Sequence, residues 1–207
     1  RQMTGAGMMD CKKALVEADG DFDKAIEFLR KKGQKLSEKR ADRATNEGSV
    51  YVRRSEDGSE AILITLTCET DFVAKNADFQ SLGNEIADAA MSNKPANVAA
   101  LKAISLGEQS VIEKLTEYVG KIGEKLDITR YEILSGDQVV SYIHSTGKLG
   151  VLVALSGVNG IDVTEAGKDV AMQIAAMNPV AVDKDGVDST VVEKEIEIGK
   201  DQARQEG

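Results

Sequence analysis

The sequence predicts an α+β protein in which a small helical module precedes a core made of two copies of an antiparallel hairpin with its helix. Two observations support this prediction. Apolar residues recur at helical spacing in the first part of the chain, and the order strand, turn, strand, helix then occurs twice, from about residue 50 and again from about residue 139. One hairpin with one helix cannot cover its sheet, so we expect the two copies to pack together.

The first predicted unit is a helical module over residues 1–33. Its apolar spacing predicts two short helices, at residues 8–18 and 22–29. Asp21 lies just before the second helix, where an aspartate side chain can accept hydrogen bonds from free backbone N–H groups. Gly33 follows the last apolar position, so we expect it to end that helix. The module is therefore predicted to be a helical hairpin.

The first half of the core is predicted to span residues 48–136, after a charged linker or solvated helix at 34–47. Two strand patterns flank Asp57-Gly58, a dipeptide typical of hairpin turns. A helix follows, with Asp78 as its expected cap, and after it a short helix, a longer helix and the strand "DITRYEIL". The apolar stripe of the first of these helices consists of Phe79, Leu82, Ile86 and Ala90.

The second half of the core is predicted at residues 137–188. The segment "VVSYIHSTGKLGVLVALSG" again predicts strand, turn and strand, and "VTEAGKDVAMQIAAMNP" predicts an apolar helix that stops before Pro179. Residues 189–207 predict a charged helix with a Ser-Thr cap, which we interpret as one arm of a projecting pair. The repeated order indicates an internal duplication.

The charge balance argues against nucleic acid and membranes as partners. The chain has 26 basic and 35 acidic residues, a formal charge of -9, so its surface does not attract phosphate backbones or anionic lipid. No apolar run approaches the roughly 20 residues that span a bilayer, and no signal peptide is visible. Cys11 and Cys68 lie far apart, which favours reduced thiols over a disulfide framework or a zinc site. We therefore expect a cytoplasmic protein. Both ends look clipped, and removal of a targeting segment is left open.

The sequence offers little for catalysis. His144 is its one histidine, and a lone histidine on a strand is more typical of a packed or contact residue than of a general base. The segment "STGKLG" at 145–150 is similar to a phosphate loop, but Tyr142 occupies the position at which that motif needs its first glycine. We therefore predict that the chain is not an enzyme and that it holds no cofactor and no metal.

Three apolar residues stand out from their surroundings. Met8 and Met9 follow a glycine turn at a helix start, and such flexible side chains occur both in cores and at adaptable binding surfaces. Phe72 lies in "TCETDFVAKNADF", just after a strand pattern. Periodicity alone favours Phe72 as a staple against the following helix. The alternative is a wedge that enters a partner.

Long segments of the chain resemble the elongation factor Ts family, the exchange factors of the translational GTPase elongation factor Tu. The first segment is "TGAGMMDCKKALVEADGDFDKAIEFLRKKG", and "TDFVAKN" matches the family's most distinctive motif. Two more, "HSTGKLGVLVAL" and "AMQIAAMNP", match the second half of its core. The resemblance covers essentially the whole chain. It implies a ubiquitin-associated-like amino-terminal module, here without most of its first helix, and a guanine nucleotide exchange factor.

The resemblance also implies which residues bind elongation factor Tu. The residues that match the segment that dislodges magnesium are Thr70, Asp71, Phe72 and Val73. Those that match other contact positions are Arg1, Met8, Met9, Lys12, Ile122, Gly123 and His144. The implied partner is elongation factor Tu, bound to GDP or free of nucleotide, and a dimer of two such heterodimers is left open.

The implied mechanism acts on the partner's nucleotide site. Phe72 enters a gap between helices of the GTPase, and Asp71 beside it disturbs the shell of the magnesium ion that offsets the phosphate charge of GDP. Two rival interpretations remain. One is an adaptor whose helical module captures ubiquitin-like proteins, and the other is a hydrolase with an unfamiliar site.

Overall fold

A computed structural model of the chain describes residues 2–206 and has an α+β fold, which confirms the predicted fold class. Its helices are α1 (Met8–Glu17), α2 (Phe22–Lys39), α3 (Asp71–Ala74), α4 (Ala77–Asn93), α5 (Val98–Ala103), α6 (Val111–Ile122), α7 (Thr164–Met177) and α8 (Ser189–Glu206), with a 3-10 turn at Lys184–Gly186. Its strands are β1 (Glu47–Arg54), β2 (Glu60–Cys68), β3 (Ser105–Leu106), β4 (Gln109–Ser110), β5 (Asp127–Ser135), β6 (Gln138–Ile143) and β7 (Gly150–Leu155).

Helices α1 and α2 form the amino-terminal hairpin around a small core of alanines. Ala14, Ala18 and Ala25 are buried there. The carboxylate of Asp21 accepts hydrogen bonds from the backbone N–H groups of Asp23 and Lys24, at 3.0 and 3.1 Å, so the predicted cap is confirmed.

The prediction that Gly33 ends the second helix is wrong, because α2 continues to Lys39. Gly33 lies where α2 crosses α6, and a Cβ atom on Gly120 would lie only 2.9 Å from the Cα atom of Gly33. The missing side chains let the two helix backbones touch. The helix also occupies part of the predicted linker at 34–47, so the hairpin connects to the core through a continuous helix. Because α2 runs through residue 33 without a break, the helix gives no test of the predicted domain boundary there, and that boundary stays a prediction.

The first half of the core is a three-stranded antiparallel sheet with the order β1-β2-β5. Helix α4 packs on this sheet, and its predicted stripe is fully buried, at Phe79, Leu82, Ile86 and Ala90. The predicted cap of α4 is wrong: the side chain of Asn76 accepts the hydrogen bond from the Asp78 N–H at 2.8 Å, and the helix begins at Ala77. Both residue types suit a cap, so the sequence left the starting point ambiguous by two positions.

The second half is the β6-β7 hairpin covered by α7. Helix α7 ends at Met177, before Pro179, as the sequence predicted. Backbone hydrogen bonds are among the contacts that join the halves: the Val50 N–H donates to the Gly147 carbonyl, and the Val139 N–H donates to the Gly58 carbonyl, each at 2.8 Å. The expectation that the two copies pack together is therefore confirmed.

Helix α8 begins at Ser189, but the carboxylate of Asp188 caps it, by accepting from the Thr190 N–H at 2.8 Å. The Ser-Thr cap that the sequence predicted is thus replaced by the preceding aspartate. Several apolar side chains of α8 are exposed, at Val191, Val192, Ile196 and Ile198. Every helix within residues 2–206 is too short or too polar to cross a bilayer.

Candidate partner-binding site

The most exposed aromatic side chain of the described residues lies on the single turn of α3, directly after the central strand β2. Phe72 is 83% exposed, whereas its neighbours Val73 and Ala74 are buried. Because successive residues of a helical turn point in different directions, burial of one side directs Phe72 outward. The interpretation of Phe72 as a staple is wrong, since a side chain this exposed does not pack on α4.

Thr70 caps α3 and is itself held from a distant part of the chain. Its hydroxyl oxygen accepts a hydrogen bond from the Val73 N–H, with 3.5 Å between the oxygen and the nitrogen. Its own N–H and hydroxyl donate to the two carboxylate oxygens of Glu124, at 3.0 and 2.6 Å. The start of the turn is therefore fixed by a contact that spans 54 residues of sequence.

Glu69, the residue before this cap, joins three parts of the molecule. Its carboxylate accepts from Arg40 at 2.7 Å, from Arg43 at 2.8 Å and from the backbone N–H of Lys125 at 2.7 Å. Burial by itself raises the pKa of this carboxyl, but the hydrogen bonds from Lys125, Arg43 and Arg40 outweigh it and hold the pKa at about 2. Glu69 is therefore ionised at neutral pH and ties the chain after α2 to the end of β2.

Asp71 lines a cleft between the two halves of the core. Its carboxylate pairs with Lys75 at 2.7 Å, and this hydrogen bond lowers the pKa of Asp71. The cleft has a volume of about 200 Å³, and residues 145–148 also line it. Lys148 of that loop pairs with Glu47 and adds to the lowering of the Asp71 pKa. An ionised, half-exposed carboxylate thus stands directly beside Phe72.

The other predicted contact residues lie on three further elements. Met8 and Met9 are 68% and 72% exposed on α1, so the interpretation that buries them in a core is wrong, and Lys12 is exposed on the same helix. Arg1 lies outside the described residues. Ile122 is half-buried at the end of α6 and lines, with Gly123, a cavity of about 430 Å³ between α6 and the helical hairpin.

His144 is exposed at the end of β6, where its Nδ1 atom lies 2.9 Å from the hydroxyl of Tyr142. It precedes the loop that also lines the cleft beside Asp71. The structure therefore brings Asp71 and the His144 loop together, while Met8, Met9 and Lys12 lie on the separate helical hairpin.

Reactive groups are scarce in the part of the chain that the structure describes. No three His, Cys, Asp or Glu side chains within residues 2–206 are grouped to hold a metal ion. Cys11 and Cys68 are free thiols, and burial raises the pKa of Cys68 to about 12, so that thiol is protonated at neutral pH.

Sequence reasoning did not find Glu69, Glu124 and Lys125. They are charged residues in polar segments, where a solvated side chain is the usual expectation. Their role comes from contacts between distant segments, and no local spacing signals such contacts.

Comparison with known proteins gives the chain its class. The sequence model described as Elongation factor TS matches residues 69–207. A protein of Cytophaga hutchinsonii named Elongation factor Ts is 56% identical over 208 aligned residues, which are all of this chain and 75% of that protein. Proteins of the same name from Amoebophilus asiaticus and Bacteroides fragilis are 54% and 45% identical over the whole of this chain, and the aligned parts are 75% and 61% of those proteins.

The α+β fold and these matches define the class as a translation elongation factor. Within that class, the chain belongs to the elongation factor Ts family.

Proposed function

We propose that this chain is a guanine nucleotide exchange factor for elongation factor Tu. It promotes release of GDP by dislodging the magnesium ion and distorting the nucleotide site. The observation that carries the proposal is the α3 turn, where Phe72 is 83% exposed on a buried and hydrogen-bonded support. Membership of the elongation factor Ts family supplies the partner.

Phe72 is the wedge of the proposed mechanism. A large apolar side chain in water gains free energy when it enters an apolar gap, about 1.5–3 kcal/mol for a phenylalanine. The buried side of α3 keeps the ring from folding back onto its own core. Binding therefore directs this free energy into opening the partner.

Asp71 is proposed to act on the magnesium ion. GDP is held through phosphates whose charge the ion offsets, so disturbing the ion's ligand shell weakens the whole nucleotide site. Asp71 is negatively charged at neutral pH, and the hydrogen bond from Lys75 lowers its pKa below the ordinary value. Exchange factor and nucleotide then weaken each other's binding by the same factor, and incoming GTP displaces the factor.

The remaining contacts are proposed to hold the partner at several points. Met8, Met9 and Lys12 offer an exposed patch on the helical hairpin, and His144 offers a polar contact from the second half. We propose that the factor performs no chemical step of its own, contacts no nucleic acid directly and works in the cytoplasm.

The first test is the release of fluorescent GDP from elongation factor Tu at fixed magnesium. The unchanged chain is expected to accelerate release, and Phe72→Ala is expected to lower that acceleration roughly tenfold to a hundredfold, the loss that corresponds to one phenylalanine burial. Phe22→Ala is the matched control, since Phe22 is also exposed, at 65%, but lies at the start of α2 outside the proposed contacts.

No acceleration by the unchanged chain would overturn the proposed function. Equal acceleration by the unchanged chain and Phe72→Ala would keep the function and remove Phe72 from its mechanism. A loss of the same size in Phe22→Ala would mean that the effect is not specific to the α3 turn.

A further inference from the structure

The α3 turn has too little structure of its own to hold Phe72 in one direction. It consists of four residues, Asp71–Ala74, and a helix of one turn is not stable by itself in water. The ring of Phe72 makes few contacts, since most of its surface is exposed. Its direction must therefore be set by what the turn is fixed to.

Glu124 makes the contact that fixes the start of this turn. Its two carboxylate oxygens accept separately from the Thr70 backbone N–H and the Thr70 hydroxyl. One bond restrains the backbone and the other the side-chain rotamer, and hydrogen bonds to an ionised carboxylate are the stronger kind. Because its rotamer is held, the Thr70 hydroxyl remains in place to accept the hydrogen bond from the Val73 N–H that caps the turn.

The support behind Glu124 is itself rigid. Helix α6 is anchored in the core by Val111, Leu115 and Val119, all buried. Gly123, which caps the end of this helix, is in the left-handed conformation, with φ at 84°, and turns the next residue toward α3. The position of Glu124 is thus set by a helix packed in the main core.

The residue after Glu124 holds Glu69, the residue that precedes Thr70 in the chain. The Lys125 N–H donates to Glu69, and its ammonium donates to the carbonyl groups of Ala41 and Arg43, at 2.6 and 3.0 Å. Consecutive residues after α6 therefore hold Glu69 and Thr70, the two residues that lead into the Phe72 turn.

We infer that Glu124 is a positioning residue, which fixes the Phe72 turn through Thr70 and so keeps the wedge ready to enter the partner. The inference rests on the proposed exchange function for its effect on GDP release. The fixing of the turn is a property of the free protein and can be measured without the partner.

The experiment is a double-mutant cycle on GDP release from elongation factor Tu with the full chain. Glu124→Ala is expected to lower the acceleration about tenfold, in line with the loss of hydrogen bonds to a charged group. In the Phe72→Ala background the same substitution is expected to change the rate less than twofold, because a residue that acts only through Phe72 has nothing left to position. Glu124→Gln keeps one acceptor oxygen. Its acceleration of GDP release is expected to lie between that of the unchanged chain and that of Glu124→Ala.

Glu113→Ala is the matched control. Glu113 lies in the first turn of the same helix and also accepts from a backbone N–H and a hydroxyl, those of Ser110, each at 2.7 Å. Its removal is expected to leave the acceleration unchanged at a temperature where the protein is folded. The inference would be overturned if Glu113→Ala and Glu124→Ala lowered the acceleration of GDP release equally. It would also be overturned if Glu124→Ala still lowered the acceleration tenfold in the Phe72→Ala background.

A second measurement separates this inference from the proposed function. Amide hydrogen exchange of the free protein is expected to speed up at Val73, Ala74 and Lys75 in Glu124→Ala, and to stay unchanged there in Glu113→Ala. Unchanged exchange at these amides in Glu124→Ala would overturn the inference, even if the unchanged chain accelerates GDP release. Faster exchange at these amides would support it, even if the unchanged chain leaves GDP release unaltered and the proposed function fails.

Discussion

At the scale of single residues, neighbours in α3 have opposite environments. Val73 is buried and Phe72 beside it is exposed, so one side of the turn packs on the core and the other faces solvent. Asp71 adds a charge at the rim of the same exposed side. Two predictions depend on individual side chains of this region.

The first prediction concerns Asp71 and magnesium. If its charge disturbs the partner's magnesium shell, Asp71→Asn should slow GDP release at millimolar magnesium, and the defect should shrink when a chelator removes the ion. Release rates measured across a magnesium titration check this. Asp162→Asn is the control, because Asp162 is exposed outside the proposed contacts. A defect of constant size at every magnesium concentration would contradict the proposed role.

The second prediction concerns Glu69 and acid. Its pKa is about 2 in the folded chain, below the ordinary value of 4.5, so the folded state favours the ionised form. Glu69 therefore stabilises the fold fully above about pH 4.5, and this contribution is lost as the pH falls toward about 2. Glu69→Gln should unfold more easily than the unchanged chain at pH 7, and the difference should narrow between about pH 4.5 and 2. Urea unfolding at several pH values measures it, and a difference independent of pH would contradict the assignment.

At the scale of elements, the helical hairpin meets the core where α2 crosses α6. Glycines on both helices, Gly33 and Gly120, allow backbone contact at the crossing. The two helices can approach this closely only because neither glycine has a side chain. Adding even one methyl group at the crossing is therefore expected to lower the stability of the fold.

The third prediction follows from the geometry of this crossing. A Cβ atom on Gly120 would meet backbone at 2.9 Å, whereas one on Gly33 would meet backbone at 3.4 Å. Gly120→Ala is therefore expected to destabilise the fold by about 1–3 kcal/mol, and Gly33→Ala by less. Chemical denaturation gives both values. Gly199→Ala in α8 is the control, with open space around the added carbon, and should stabilise its helix slightly. Equal effects of Gly33→Ala and Gly120→Ala would contradict the role of the crossing.

At the scale of the whole molecule, the two copies of the repeat are unequal. The first half contains one large apolar core, which extends from Tyr51 to Tyr131. In the described part of the second half, burial is confined to Val139, Val140, Gly167 and Ala171. Burial of apolar area is the main source of stability, so the two halves should open with different free energies.

The fourth prediction is a difference in local stability. Amides of β1, β2 and β5 should exchange at rates near the global unfolding limit, while those of β6, β7 and α7 should exchange at least tenfold faster. Native-state hydrogen exchange measures both sets in one sample. Equal protection of the two sheets would show that the halves unfold as one unit.

Much of the fold could be read from local patterns. The stripe of α4, the hairpin at Asp57-Gly58 and the stop before Pro179 were all predicted, because each depends on spacing or turn chemistry within a few residues. The repeat of strand, turn, strand and helix predicted two packed copies for the same reason.

The sequence by itself therefore determined the order of the elements and the family, and the structure decided which side chains face outward. Gly33 was misread as a helix end because its partner Gly120 lies 87 residues later in the chain. Periodicity alone favoured Phe72 as a staple, because the exposure of its side chain depends on what packs beneath α3. No local sequence pattern indicated the role of Glu124, since its hydrogen-bond partner Thr70 lies 54 residues away. Local patterns reflect the backbone's short-range energetics, whereas exposure and long-range hydrogen bonds exist only once distant segments have packed.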